Sequence, residues 1–257
     1  MPFLIEQGCR CIAYDRRGHG RSDRPWEGYD YDRLADDLAA LLEHLDLSGV
    51  TLVGHSAGCG EVVRYLTRHG SARVDRIVLA CGTTPFPMKT ADNPVGVDRI
   101  YMEADLALRT ADRAQWYTNN AASFFGIGLA GISVSPAQTK FMIQQCLECW
   151  PRAAYAFFVT GFTSDLGRDL EAIRIPTLVI HGDQDMQAPF VICGQRTAEL
   201  VPGSQLKVYE NAAHGLFLTH ADRFNADLLT FARPHRKPAE LSSSRTDRPA
   251  STSARRR

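Results

Sequence analysis

The chain has no apolar run approaching the ~20 residues that a membrane-spanning helix needs. Its first residues, Met1-Pro2-Phe3-Leu4-Ile5-Glu6, offer neither a basic leading stretch nor a long apolar core, so a secretory leader is not expected. No charge of one sign dominates: 29 Lys/Arg face 29 Asp/Glu. That argues against a domain whose main task is to neutralise phosphates, so neither a membrane nor a nucleic acid is an expected partner. Internal repeats are absent. The cysteines lack pairing logic, being seven in number and scattered. Cys146-Leu-Glu-Cys149 is a lone CxxC with no second ligand pair, so buried thiols in a reducing cytoplasm are expected before a zinc or redox centre. What remains is ordinary for a soluble globular protein, 44% hydrophobic and 23% charged, and α/β folds of 257 residues often form a single domain.

The balanced charge hides an asymmetry. Residues 233–257 hold eight Lys/Arg and two acids, which leaves 21 basic and 27 acidic residues in the body. The terminal segment is Ser, Pro, Thr and Arg with almost no apolar content. It cannot bury enough surface to offset its ordering entropy and is expected to be a disordered basic tail. A solvated extension and an anionic-partner site are both open readings of it.

Upstream, short β-branched runs alternate with helical periods. Cys9–Asp15 reads as a strand, followed by a turn-rich loop. Residues 32–46 place Leu34, Leu38, Leu41, Leu42 and Leu45 on one face of an amphipathic helix. Val50–Gly54 reads as a short buried strand, 58–69 as a helix and Ile77–Cys81 as a strand. Residues 83–170 break the rhythm and read as a mostly helical insertion. Thr177–His181, a helix near 190–201, Gln205–Tyr209 and a helix over 221–232 resume it. This pattern predicts a mostly parallel sheet with helices on both faces, whose sites form at the carboxyl ends of the strands. The domain reading is a core of 1–82 and 171–232 with the insertion at 83–170.

Residues at those strand ends carry the chemistry. Gly54-His55-Ser56-Ala57-Gly58 is a G-x-S-x-G between a strand and a helix. On such a turn the serine hydroxyl is exposed, and the glycines remove side chains that would collide as helix folds back on strand. The helix N-terminus aims backbone N–H groups at developing negative charge. A serine needs a base to take its proton. Of eight histidines, His44 and His69 sit on or at the ends of helices and His235 in the tail. His19 lies in a loop that could reach the site, His55 and His181 suit packing roles, and His220 lies further on. His214, in Asn-Ala-Ala-His-Gly after a strand, is the candidate base. The base needs a carboxylate to fix its tautomer. Asp183 and Asp185 both follow the strand Thr177–His181. Asp185 lies far enough past its end to turn toward the site, whereas Asp183 suits the turn itself. Ser56, Asp185 and His214 follow the chain order expected of one hydrolase fold.

Four segments carry a likeness in order: Tyr14-Asp-Arg-Arg-Gly-His-Gly-Arg-Ser-Asp23, Val53-Gly-His-Ser-Ala-Gly58, Val179-Ile-His-Gly-Asp-Gln-Asp185 and Ala213-His-Gly-Leu-Phe-Leu-Thr-His220. The sequence resembles the α/β-hydrolase superfamily over residues 3–232. More narrowly it resembles the cofactor-free chloroperoxidases and related arylesterases, a placement that segments 64–74 and 224–231 support. The resemblance implies that Ser56 forms an acyl-enzyme from a small ester or acyl substrate, His214 relays the proton and Asp185 orients His214. Water then releases the acid; hydrogen peroxide in its place gives a peracid, which oxidises halide. No metal, heme or other cofactor is implied. Residues 83–170 become a cap, with Phe124, Phe125, Phe157 and Phe158 either lining the acyl pocket or forming cap core.

The sequence departs from the family at its start. Only eight residues precede Cys9, and the usual third strand with its His-Gly-x loop has no counterpart. By the resemblance that strand lies between Cys9–Asp15 and Val50–Gly54, so these two either pair with each other or leave a gap. Its loop supplies one of two oxyanion donors, leaving the N–H of Ala57 as the identifiable one. A lost donor costs ~10²–10³ in turnover. Expectations are therefore a serine hydrolase whose functional form carries further N-terminal residues, or an inactive, truncated scaffold of the same fold. A binder acting through the basic tail is a third reading, and a homo-oligomeric assembly stays open.

Overall fold

The computed structural model describes residues 1–233. The basic segment therefore lies outside the described residues except for Arg233. In chain order the elements begin with α1 (Pro2–Glu6), α2 (Tyr31–His44), β1 (Val50–His55), α3 (Gly58–His69) and β2 (Val74–Ala80). Next come the helices α4 (Arg99–Ala111), α5 (Arg113–Phe125), α6 (Pro136–Leu147), α7 (Pro151–Thr163) and α8 (Gly167–Glu171). The chain then forms β3 (Thr177–Gly182), α9 (Gly194–Leu200), β4 (Gln205–Tyr209), α10 (Leu216–Thr219) and α11 (Ala221–Ala232).

Among the described residues the strands form one four-stranded parallel sheet in the order β1-β2-β3-β4. Alternation along β2 divides the core. Ile77 and Leu79 pack with Leu34, Leu38 and Val63 of α2 and α3 on one face. Val78 and Ala80 pack with Leu178, Ile180, Leu216 and Leu228 on the other. Side chains cap several of the helices, among them α2, where Asp30 accepts from Arg33 N, and α5, where Asp112 accepts from Gln115 N.

The structure corrects the first expected strand. Residues 9–16 carry no strand, and β1 pairs with β2 alone among the described residues. The alternating pattern there is real, but an extended segment becomes a strand only when a neighbour takes its backbone donors and acceptors. Instead the segment is held by side chains. Tyr14 donates its hydroxyl proton to Glu61 of α3, and Arg16 Nε lies 3.0 Å from the other carboxylate oxygen of Glu61. β1 is accordingly an edge strand and not the buried strand expected, with Val53 50% exposed. A smaller correction concerns the helix expected near 190–201. It begins at Gly194, because residues 190–193 form turns back onto Pro189, with Ile192 N donating to Pro189 O at 3.1 Å.

Candidate active site

The turn from β1 into α3 shows why its residues are small. A Cβ on Gly54 would stand 2.7 Å from Gly58 O and 2.8 Å from Cys59 Cα, backbone that cannot move aside. Ser56 takes φ +56°, the left-handed region that costs a non-glycine residue ~1–2 kcal/mol. Its N–H donates to Ala80 O at 3.0 Å, and its carbonyl accepts from Cys59 N at 3.0 Å, so both sides of the turn are pinned. The result is a hydroxyl raised at the start of a helix on the wall of a cavity.

Asp185 and His214 meet as a pair, although they are far apart in sequence. His214 Nδ1 lies 2.8 Å from Asp185 Oδ2, and both residues are 3% exposed. The other carboxylate oxygen accepts from Gln187 N and Ala188 N, each at 2.9 Å, so the loop after β3 holds the group in place. Burial pushes the Asp185 carboxyl up, but His214 and then His181 outweigh it, and the group is held below its ordinary range. Asp183 stays exposed, its N–H donating to Tyr209 O at 3.0 Å. His181 Nε2 lies 2.7 Å from Ala188 O, which fits its expected local role.

Ser56, Ala57 and His214 line one cavity of about 520 Å³, a size ordinary for small-molecule sites. No hydrogen bond joins Ser56 to His214 among the described residues. Phe124, Phe125, Phe157 and Phe158 line this cavity, and the last three are also buried in hydrophobic core, so the two readings of them coincide. α5 touches the site directly: Gly215 N donates to Phe124 O at 2.7 Å, and the Phe124 ring meets the His214 ring edge-on at 5.2 Å.

Three contributors escaped the sequence. Arg16 and Arg109 line the cavity, Arg109 with its guanidinium 3.5 Å from the centre of the Trp116 ring. Arg16 lies in the Tyr14–Asp23 segment that carries the family likeness, but its place at the site was not read from it, and nothing in a linear pattern marks Arg109. His55 packs as expected, but its Nε2 also donates to His214 O at 3.0 Å, which ties β1 to the loop of the candidate base. Burial, then the adjacent His214, pushes the His55 imidazole down from 6.5 to about 3.

That depression has a sign. Between about 6.5 and 3 the unfolded chain protonates this histidine and the folded chain does not, so acid draws the protein toward unfolding. Asp185 acts in the same direction, its contribution being lost as the pH falls through its lowered folded value. His55→Gln keeps a donor for His214 O and removes the titration. Its melting temperature should fall less steeply than that of the wild type between about pH 7 and pH 4. Parallel slopes in a thermal-melt series would contradict this.

A parallel sheet, a serine on a sharp strand-to-helix turn and a buried Asp–His pair from later strand ends define an α/β hydrolase. The chain belongs to the alpha/beta hydrolase fold family, whose match spans residues 1–221. It is 40% identical over 238 residues to a non-heme chloroperoxidase of Kitasatospora aureofaciens, covering 90% of this chain and 85% of that one. It is 36% identical over 234 residues to a bifunctional esterase/perhydrolase of Acinetobacter calcoaceticus, covering 91% and 85%. The fold matches the crystal structure of a bromoperoxidase from Bacillus anthracis with a TM-score of 0.84 and 38% identity, covering 90% and 84%. The chain is thus an α/β-hydrolase enzyme similar to non-heme chloroperoxidases and esterases. No helix among the described residues is long and apolar enough to cross a membrane.

Proposed function

We propose that the protein hydrolyses small carboxylic esters through an acyl-enzyme on Ser56. The single observation that carries this reading is the buried 2.8 Å pair of Asp185 and His214 on the cavity that also exposes Ser56. With Nδ1 held by Asp185, His214 keeps Nε2 free to accept a proton. The contact between Ser56 and that nitrogen closes when substrate fills the cavity, as hydrogen bonds of this kind often do. Ser56 Oγ then bonds to the ester carbonyl carbon as its proton passes to His214. Charge developing on the carbonyl oxygen faces the N–H of Ala57 at the start of α3. The C–O bond to the alcohol breaks, and His214 returns the proton to the leaving oxygen. Water attacks the acyl-enzyme by the same route and frees the acid. Hydrogen peroxide in place of water yields a peracid, which oxidises halide in solution. The phenylalanine-lined cavity favours an apolar acyl group. Seven free thiols fit a reducing, cytoplasmic location.

A second reading has its own support. The unpaired residues 9–16 and the exposed edge of β1 leave Ala57 as the one identified oxyanion donor, which favours a scaffold of low or no activity. The partition between water and peroxide separates the two. With p-nitrophenyl acetate and hydrogen peroxide, peracetic acid should form at the expense of acetate, and both should vanish together in Ser56→Ala. Wild-type rates equal to those of Ser56→Ala would establish the scaffold. Peracid surviving the substitution would contradict the shared acyl-enzyme.

A further inference from the structure

Three metal-ligand side chains converge beneath the cavity, and the ester chemistry uses one of them. His55, Cys81 and His214 each offer one ligand atom, and these atoms all lie within 4.8 Å of one another. They come from the end of β1, the residue after β2 and the loop after β4. Cys81 is fully buried, with φ +47° and its N–H donating to Ile180 O at 2.8 Å. Its place beside Asp185 is therefore fixed by backbone.

We propose that His55, Cys81 and His214 form a site for a soft divalent cation such as Zn²⁺ or Cd²⁺, which inhibits the enzyme by capturing its base. Imidazole nitrogen and thiolate sulfur are the ligand types such ions select. Metal–ligand bonds of ~2.1 Å to nitrogen and ~2.3 Å to sulfur set the ligand atoms roughly 3.5 Å apart, so a shift of about 1 Å closes the cluster. His55 and His214 line the cavity, which gives the ion the same entry as the substrate. On binding, the S–H bond of Cys81 breaks, its proton leaves to solvent and the sulfur bonds to the ion. The ion and thiolate together leave one positive charge, which the Asp185 carboxylate beside His214 balances. At His214 the ion takes Nε2, already unprotonated, or takes Nδ1 as its proton moves to Nε2; either leaves no nitrogen to accept the serine proton. Nε2 is the lone pair that would receive the serine proton, and Nδ1 is the atom that Asp185 holds.

The inhibition rests on the proposed ester chemistry; the binding does not. The test therefore starts with binding, by titrating the full chain with Co²⁺ and reading the thiolate-to-cobalt charge-transfer absorption. The band should appear in the wild type and in Ser56→Ala, and be lost in Cys81→Ala. Cys81→Ser, nearer in shape, replaces Cys81→Ala if the latter does not fold. Zn²⁺ should then inhibit p-nitrophenyl acetate hydrolysis reversibly with EDTA. The Cys81 variant, active without metal, should be less sensitive by more than about 10-fold, the worth of even an outer-shell partner. A wild type without the band, a band that survives loss of Cys81, or equal Zn²⁺ sensitivity of both proteins would overturn the site. A band on a chain devoid of esterase activity would overturn the inhibitory role and the ester chemistry while leaving the site itself standing.

Discussion

Ser56→Ala should lower kcat on an aryl ester by about 10⁶-fold, the scale reached when a serine nucleophile is removed from a working triad. The expectation follows from one deletion. The alanine keeps the backbone turn, the bond from residue 56 N to Ala80 O and the cavity wall, and removes only the oxygen that attacks. The left-handed φ at this position strains alanine and serine alike, so the folded protein should survive with a similar melting temperature. Steady-state rates on p-nitrophenyl acetate, corrected for the uncatalysed reaction, measure the ratio. A loss smaller than tenfold would mean that the hydroxyl of Ser56 is not the nucleophile.

Asp185→Asn should cost about 10⁴-fold in kcat, while the folded protein persists near neutral pH with its stability lowered by the contribution that the carboxylate charge makes there. The two carboxylate oxygens have separate tasks. Oδ1 accepts from Gln187 N and Ala188 N, and an asparagine oxygen can accept both. Oδ2 faces His214 Nδ1, where asparagine would present an N–H instead. Two donors cannot share a hydrogen bond, so His214 takes the tautomer that protonates Nε2 and can no longer accept the serine proton. Comparing kcat with the melting temperature separates the chemical role from a structural one. A variant that keeps more than a tenth of wild-type kcat would remove Asp185 from the mechanism. A variant that loses activity only because it no longer folds would make it a structural residue.

The sequence and the structure part company where contacts are distant. α3, β4 and α11 lie where their apolar spacing puts them, because helix and strand periods are local signals. The order of Ser56, Asp185 and His214 was legible for a related reason: each follows a strand, and parallel topology gathers strand ends on one edge of the sheet. Residues 9–15 carry the same alternation as a strand yet form none, because pairing depends on a neighbour that a local pattern does not contain. Val53 is exposed for the same reason. The link from Tyr14 to Glu61, the bond from His55 to His214 O and the convergence of Cys81 with both histidines are also invisible in one dimension. They join residues tens to more than a hundred positions apart. Asp185 could be favoured over Asp183 from its distance past β3, but the two N–H groups that hold it belong to the following loop and emerged only in three dimensions.

In the proposed chemistry His214, steadied by Asp185, makes the hydroxyl of Ser56 a nucleophile. Covalent trapping tests it most directly. The full chain is treated with a fluorophosphonate, digested, and its adduct located by peptide mass analysis. One phosphonyl group should appear on Ser56, at a rate that falls steeply in Asp185→Asn. An adduct on another residue, or no adduct on the folded chain, would contradict it.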